Sequence, residues 1–313
     1  MSEKVMPRVD IAFKKLFGVE ENKDLLISLI NSVVSKEDQV ETVDILNPYN
    51  FRDFKQEKSS ILDIKAKGPT GKRYCIELQI SDDGDYDKRA LYYWGKAYTQ
   101  QLSIGMGYSK LNKTIGIHIL NFISIPETKK YHNFFRPTDT ESGVHYFKDM
   151  ELHTIELSKF EDQIKGEQLN ETDELKLLVS KVKTSLDRWV AFLTRHNLLN
   201  KHNLPEELKD PQVKKALEVI EVMNLSDEER EAYEAHLHWL RIEESTLKKA
   251  KEEAREEGIA IGEERGIEKG IEKVAKNLLS QGVYIEVIAK STGLTINKIE
   301  ELKIDKKVVK EAS

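Results

Sequence analysis

The segment from Thr114 to Phe122 restricts the fold most, because it is apolar almost throughout. A strand with this composition is covered on both faces, as in a sheet flanked by helices. Residues 59–67 and 72–80 also have strand-like sequences, and the turn sequence Gly68-Pro69-Thr70-Gly71 joins them. Shorter strands are predicted around Phe134, around Tyr146 and over residues 152–157. The first half of the chain is therefore predicted to contain a sheet.

Helical patterns alternate with these strands and then replace them. Val9, Ala12, Phe13, Leu16 and Phe17 have the spacing of an amphipathic helix. Further helices are predicted from about residue 22 to 34 and from about residue 87 to 105. From about residue 161 onward the pattern is almost entirely helical, with helices predicted near 173–186, 211–223 and 227–280. The sequence thus predicts an α/β first half and an all-α second half.

Charge and cysteine content exclude several classes of protein. The chain has 313 residues, a formal net charge of −6 and a single cysteine, Cys75. One cysteine forms neither an intramolecular disulfide nor a Cys-rich zinc site. Residues 1–160 carry 23 basic and 23 acidic side chains, so a protein that coats nucleic acid nonspecifically is not indicated, whereas a local basic groove is still allowed.

Other motifs are absent from the sequence. It contains no stretch of about eighteen apolar residues and no apolar core of a signal peptide near its first residue. We therefore expect a cytoplasmic protein without a membrane partner. The histidines lack the His-x-x-His and Glu-x-x-His spacings of zinc sites, and no phosphate-binding Gly-x-x-x-x-Gly-Lys-Ser/Thr loop occurs. No nucleotide cofactor is expected.

Two carboxylates fall on neighbouring predicted strands. Asp63 lies in the first strand of the hairpin, and Glu77 lies in the second, with Gln79 on the same face. A four-residue turn would give paired residue numbers a sum of about 139, which places Asp63 opposite Ile76 and beside Glu77 within one register step. Adjacent carboxylates repel unless a cation bridges them. Mg²⁺ suits such a site, although this spacing alone arises easily by chance.

The same residues resemble a known family. The chain is similar to the PD-(D/E)XK nuclease core, and specifically to the Rpn family of recombination-promoting nucleases, also called PD-(D/E)XK nuclease family transposases, over about residues 5–160. The matching sequence segments are residues 10–18 (DIAFKKLFG), 61–64 (ILDI), 76–79 (IELQ), Arg89 with Tyr92-Tyr93, and residues 101–108 from Gln101-Leu102 to Gly107-Tyr108. This resemblance implies a restriction-endonuclease-like core, which is a mixed central sheet flanked by helices.

The resemblance also implies an activity, which is endonuclease cleavage of DNA with Mg²⁺, or with Mn²⁺ as the other suitable metal. It implies Asp63 and Glu77 as metal ligands, with the Leu78 carbonyl as a third ligand. Gln79 occupies the position of the superfamily's lysine, and an amide orients an attacking water by hydrogen bonds alone.

Two further residues match the family but have an alternative explanation each. Asp10 matches an acidic residue of the family that would hold a metal-bound water. The alternative is that Asp10, as a residue of the first turn, only interacts favourably with the dipole of its helix. Arg89 is a candidate for contact with a substrate phosphate. It is equally suited to an ion pair with Asp87 or another nearby carboxylate.

The second half suggests association or target recognition. Gly258, Gly262, Gly266 and Gly270 form one stripe on a charged helix, which indicates either close contact with a partner helix, as in a homo-oligomer, or a solvated spacer. Residues 284–299 resemble a helix-turn-helix, and a hairpin that touches no DNA fits them equally well. The predicted segments are a nuclease-like domain at 1–160, a helical region at 161–247, a glycine-punctuated helix at 248–276, a hairpin at 277–303 and a tail at 304–313.

Two functions from other classes compete with the endonuclease. One is a transposase or recombination factor that nicks DNA and hands on the ends. The other is a noncatalytic DNA-binding or scaffolding protein that uses the C-terminal helices. The sequence contains no residue that separates defence against foreign DNA from promotion of recombination.

Overall fold

The structure, a computed structural model, describes residues 5–49, 64–82, 84–162 and 170–302, except for the side chains of 243, 244, 247, 248 and 251. The chain divides into two compact units. The N-terminal unit comprises Met1–Leu237, and the C-terminal unit comprises His238–Ser313. Asp63 lies outside the described residues.

A six-stranded mixed sheet forms the centre of the described N-terminal unit. Its strand order is β1-β2-β3-β4-β6-β5. β3 runs parallel to β4, and β4 runs parallel to β6, while the remaining neighbours are antiparallel. The strands are β1 (Asp44–Ile45), β2 (Ile64–Lys67), β3 (Arg73–Gln79), β4 (Thr114–Leu120), β5 (His132–Phe135) and β6 (Met150–Glu156). All seven residues of β4 are buried, which confirms that this strand is covered on both faces.

Helices cover both faces of this sheet, as the resemblance implied. The helices of the N-terminal unit are α1 (Asp10–Phe17), α2 (Lys23–Val33), α3 (Tyr86–Thr99), α4 (Leu157–Asp162), α5 (Glu171–Lys181), α6 (Ser185–Arg195) and α7 (Pro211–Val222). Later in the chain come α8 (Asp227–Ser280), α9 (Ile285–Thr292) and α10 (296–302). The predicted strand near Tyr146 is wrong, because this residue lies in an exposed loop. The single helix predicted over 173–186 is also wrong, because Thr184 caps a new helix, α6, through a capping box with Asp187.

One face of the sheet forms the main core. Alternation along β3 directs Tyr74, Ile76 and Leu78 toward this face, where they belong to the same apolar cluster as residues of α1, α2, α6 and α7. Trp189 of α6 is buried against Phe17 and donates its indole N–H to the Ser28 hydroxyl at 3.1 Å. This cluster fixes the position of β3 and β4.

The opposite face of the sheet lies under α3. Tyr86 and Ala90 of α3 pack with Leu120 of β4 in a small separate cluster. Alternation places Arg73, Cys75, Glu77 and Gln79 on this face of β3. Glu77 is therefore directed away from the main core and toward α3.

The C-terminal unit has a small core of its own. The end of α8 packs with α9 and α10 through Ala275, Ile288, Ile299 and Leu302. Gly293 ends α9 in the left-handed conformation, with φ of 73°, so a side chain there would be strained. The helical hairpin predicted from the sequence is therefore present in the described residues.

The glycine stripe of α8 is exposed. A methyl group added at Gly258, Gly262, Gly266 or Gly270 would meet, apart from the neighbouring backbone of its own helix, no atom of the described residues within 4 Å. Association through this stripe thus stays a prediction. Among the described residues, no helix is both long enough and apolar enough to cross a membrane.

Candidate active site

Glu77 is the central acidic residue of the candidate site. It lies in the middle of β3 and is only 6% exposed. Its Oε1 accepts a long hydrogen bond of 3.5 Å from Nη2 of Arg89 on α3. Its Oε2 lies 3.9 Å from Nδ1 of His118. The Arg89 guanidinium offsets part of the cost of burying this carboxylate, because an opposite charge nearby favours the ionised form.

His118 lies beside Glu77 on the neighbouring strand. The parallel register of β3 and β4 pairs these two residues directly. His118 Nδ1 shares a hydrogen bond of 2.6 Å with the Tyr86 hydroxyl, and the two rings meet edge to face. Burial lowers the pKa of His118 from 6.5 to about 4, with smaller contributions from His153 and Arg89. The imidazole is therefore neutral near pH 7.

Gly116 makes room for the His118 ring. A methyl group at Gly116 would lie 2.8 Å from His118 Nε2 and 2.7 Å from a methyl carbon of Leu152. Both distances are shorter than van der Waals contact allows. A glycine in a buried strand is otherwise unfavourable, so its presence here is explained by the close approach of the imidazole.

Four side chains thus contact one another in a ring, which we call the Glu77 cluster: Glu77, Arg89, Tyr86 and His118. The Arg89 guanidinium closes the set, because its central carbon lies 5.2 Å from the centre of the Tyr86 ring. The cluster holds the Glu77 carboxylate between two elements, β4 and α3. The contacts with Arg89 and His118 restrict the rotamers available to Glu77, and Tyr86 positions both of these partners.

Sequence reasoning missed Tyr86 and His118. The signal for His118 was available, because it is the only ionisable residue in the otherwise apolar strand β4. Tyr86 gave no comparable signal, since 32 positions separate it from His118 and the sequence does not show their contact.

The other predicted site residues have different surroundings. Gln79 donates its side-chain amide to the Ser81 carbonyl at 3.0 Å. Leu78 is buried, with its side chain in the main core on the opposite face from Glu77. Asp10 lies in the first turn of α1, where its Oδ1 is 3.4 Å from Nζ of Lys14. Burial lowers the pKa of His236, and the charge of Asp10 offsets part of that change. Burial and Glu229 raise the pKa of Tyr49, with a smaller contribution from Asp10.

Arg89 pairs with a carboxylate, which is one of the two alternatives that the sequence left open for it. Its partner is Glu77. Within the described ranges, no three His, Cys, Asp or Glu side chains come together as a metal-binding group. A metal site at Glu77 therefore depends on Asp63, which lies outside those ranges, or on backbone and solvent oxygens.

A comparison with protein families decides the identity. The sequence profile of the PD-(D/E)XK nuclease family transposases matches residues 7–250. The chain belongs to this family. The match confirms the resemblance to the PD-(D/E)XK nuclease family transposases and extends it through α5, α6 and α7 into α8. Comparisons with curated proteins and with solved structures gave no match.

Family membership gives the site a general chemistry. A PD-(D/E)XK nuclease family acts on phosphodiester bonds, and its members typically use a divalent metal. The oxygen donors at the candidate site fit such an ion, because the Glu77 carboxylate and the backbone carbonyls of β3 are hard ligands of the kind that Mg²⁺ prefers. No sulfur or imidazole donor is required.

Proposed function

We propose that the protein is a DNA endonuclease that hydrolyses phosphodiester bonds with Mg²⁺ or Mn²⁺. The observation that carries the proposal is Glu77, a buried carboxylate on a central strand of the sheet, held by Arg89 and close to His118. A buried charge is costly, and such groups occur preferentially at functional sites.

The register of the hairpin supports Asp63 as the second metal ligand. Ile64 of β2 pairs with Ile76 of β3, so paired residue numbers sum to 140. The predicted sum was 139, which is one step less. Asp63 precedes Ile64 directly, and continuing the same ladder by one residue would place Asp63 opposite Glu77. Directly opposite residues of antiparallel strands have Cβ atoms about 4.5 to 5.5 Å apart, which allows two carboxylates to share one cation.

Each predicted residue then has a role in this proposal. Asp63 and Glu77 would hold the cation, together with the Leu78 carbonyl. A bound Mg²⁺ supplies positive charge at the scissile phosphate and lowers the pKa of an attacking water. Gln79 orients that water through its amide. Arg89 would hold the Glu77 carboxylate, which its Nη2 reaches at 3.5 Å, and contact with a substrate phosphate stays the second role proposed for it.

Asp10 has a more distant role in this proposal. It would hold a solvent molecule that contacts the cation, as the resemblance implies. Its ion pair with Lys14 and its position in the first turn of α1 support the alternative, which is stabilisation of that helix.

Two broader roles are compatible with the same chemistry. Cleavage within recombination or transposition is consistent with the family, and so is defence against foreign DNA. A noncatalytic DNA-binding protein is the second candidate, because the C-terminal unit contains a helical hairpin with its own core. In either case the cytoplasm is the expected compartment.

Nicking of supercoiled plasmid separates these functions. We expect the wild-type protein to convert supercoiled DNA into open-circular DNA with Mg²⁺ and with Mn²⁺, and to be inactive in EDTA. Gel analysis of the products also shows whether ends are joined, as a transposase requires. Tight binding to DNA that does not depend on metal, without nicking in any metal, would instead establish the noncatalytic candidate.

Tyr86→Phe tests how the Glu77 cluster positions its carboxylate. The change removes the hydroxyl that bonds to His118, so we expect nicking to fall by about 10- to 100-fold, as for other residues that orient metal ligands. The loss should be partly recovered at high Mg²⁺ concentration, because metal affinity is affected. Tyr92→Phe is the matched control, since Tyr92 is an exposed tyrosine of the same helix. Equal activities of the two variants would refute the positioning role of Tyr86.

A further inference from the structure

A pocket lies on the α3 side of the sheet, apart from the Glu77 cluster. Its volume is about 200 Å³, and it opens near the first residues of β3, the end of the strand away from Gln79. Lys65 of β2 and Arg73 of β3 contribute its charged lining, and Gln100 and Gln101 line it at the end of α3. None of these residues belongs to the Glu77 cluster.

The pocket is positively charged. Among the described residues that line it, Lys65 and Arg73 are basic and none is acidic. Neither side chain forms an ion pair within the described part of the chain. Nearby cations behave differently, because Lys72 and Lys113 both pair with Asp38. Two unneutralised cations beside a pocket are notable in a chain with a net charge of −6.

Arg73 also has an unused hydrogen-bond donor. Its Nε atom is buried and has no hydrogen-bond partner among the described residues. A buried donor without an acceptor is unfavourable, and an oxyanion is the acceptor that a guanidinium binds best.

One wall of the pocket is held rigidly. The Gln101 amide donates to the Asn112 carbonyl and to the Thr114 hydroxyl, both at 3.0 Å. Its oxygen accepts from the Asn112 backbone N–H at 3.0 Å. These bonds fix the end of α3 against the start of β4, so the pocket is preformed.

We propose that this pocket binds a phosphate group of the DNA backbone. Arg73 lies on the same face of β3 as Glu77 and four residues from it, a distance of about 13 Å along the strand. Roughly four nucleotides of B-DNA span that length at 3.4 Å per nucleotide. The pocket would hold the backbone a short distance from the scissile bond. This inference rests on the proposed function, because it takes DNA as the substrate.

The test is the salt dependence of DNA binding, measured without cleavage. Fluorescence anisotropy of a labelled duplex in EDTA gives the affinity of the full chain at several salt concentrations. Each phosphate contact contributes about 0.9 to the slope of log affinity against log salt. Because the pocket holds one phosphate, Lys65→Gln and Arg73→Gln should each lower the slope, and the double variant should lower it by about 0.9.

The controls separate charge from structure. Lys214→Gln removes an exposed lysine of α7 that forms no ion pair with the described residues, and it should leave the slope unchanged. Arg73→Lys keeps the charge and should retain most of the slope. Thermal melting shows whether each variant is folded. If Arg73→Gln is unfolded, the salt dependence is compared for Arg73→Lys and Lys65→Gln instead.

A titration with inorganic phosphate distinguishes the source of the anion. The DNA assignment would be overturned if both Gln variants bind DNA as the wild type does but no longer bind the phosphate that the wild type binds. The pocket would then be a site for a small phosphorylated ligand. Unchanged binding of both DNA and phosphate would overturn the site itself. Because no cleavage is measured, a wild-type protein that binds DNA but never nicks it would reject the nuclease proposal without affecting this one.

Discussion

Glu77→Gln is expected to reduce Mg²⁺-dependent nicking by on the order of 10²- to 10³-fold while the protein remains folded. The substitution keeps the size of the side chain and removes its negative charge, which is the property that binds a divalent cation. The contacts to Arg89 and His118 can still form, because the amide retains one oxygen. Arg89 is partly exposed, so water can solvate its charge once the carboxylate is gone. Initial rates of plasmid nicking at several Mg²⁺ concentrations measure the effect.

Glu207→Gln is the matched control for this variant. Glu207 is exposed and lies in the helical region before α7, far along the chain from the site. The same change of charge there should leave nicking unchanged. Retained activity in Glu77→Gln would show that Glu77 is not a metal ligand, whereas equal loss in both variants would point to a general effect of charge.

The largest effect on stability is expected from Glu151→Gln. Glu151 of β6 is fully buried. Its carboxylate accepts hydrogen bonds from His153 at 2.8 Å and from Arg136 at 3.1 and 3.2 Å, and it pairs with Lys113 at 2.6 Å. Removing one member of a buried ionic network typically costs about 3 to 5 kcal/mol, because the remaining charges lose their partner. Urea unfolding at pH 7 measures this loss.

The same network makes stability depend on pH. Burial alone would raise the pKa of Glu151, but hydrogen bonds from His153 and Lys113 lower it below its ordinary value of 4.5. Asp38 behaves in the same way, with hydrogen bonds from Lys113 and Lys72 that lower its pKa below 3.8. A carboxylate whose pKa is lower in the folded state stabilises the fold at pH values above its pKa in the unfolded state. This contribution is lost as the pH falls through its pKa in the folded state.

His132 adds a second, higher pH range. Burial lowers its pKa from 6.5 to about 4, with a smaller contribution from His153. The unfolded state therefore binds a proton between these values that the folded state does not, so stability falls as the pH drops from 6.5 to 4. The free energy of unfolding should therefore decrease as the pH is lowered from 6.5 to 4, both in the wild-type protein and in Glu151→Gln. Below about pH 4 the decrease should be smaller in Glu151→Gln, and identical pH profiles there would contradict the assignment.

The sequence predicted the framework of the fold well, for reasons that are local. The apolar pattern of β4 reports burial on both faces, and the turn residues after Lys67 fixed the hairpin register to within one step. Predictions failed where a capping contact or a long-range contact decides the structure. The capping box of Thr184 divides α5 from α6, although the apolar pattern continues across it. The predicted segment boundaries at residues 160, 247, 276 and 303 stay predictions.

The candidate site was predictable only in part. Glu77 and Gln79 could be found from strand alternation and from the motif they form. The contact between Tyr86 and His118 could not, because these residues lie on different elements and 32 positions apart, although His118 itself was visible as the ionisable residue of β4. The buried position of Glu151 was equally hidden, since its cations come from Lys113 and Arg136 on other segments. Such contacts depend on the three-dimensional arrangement of the sheet.

A titration with Mn²⁺, followed by electron paramagnetic resonance, tests the central claim most directly. It should be made on the wild-type protein, Asp63→Asn and Glu77→Gln, with plasmid nicking measured on the same samples. We predict that the wild type binds Mn²⁺ and nicks DNA, and that each variant binds the ion at least about tenfold more weakly and loses nicking in parallel. If both variants bind Mn²⁺ and nick DNA as well as the wild type does, a metal site shared by Asp63 and Glu77 is contradicted.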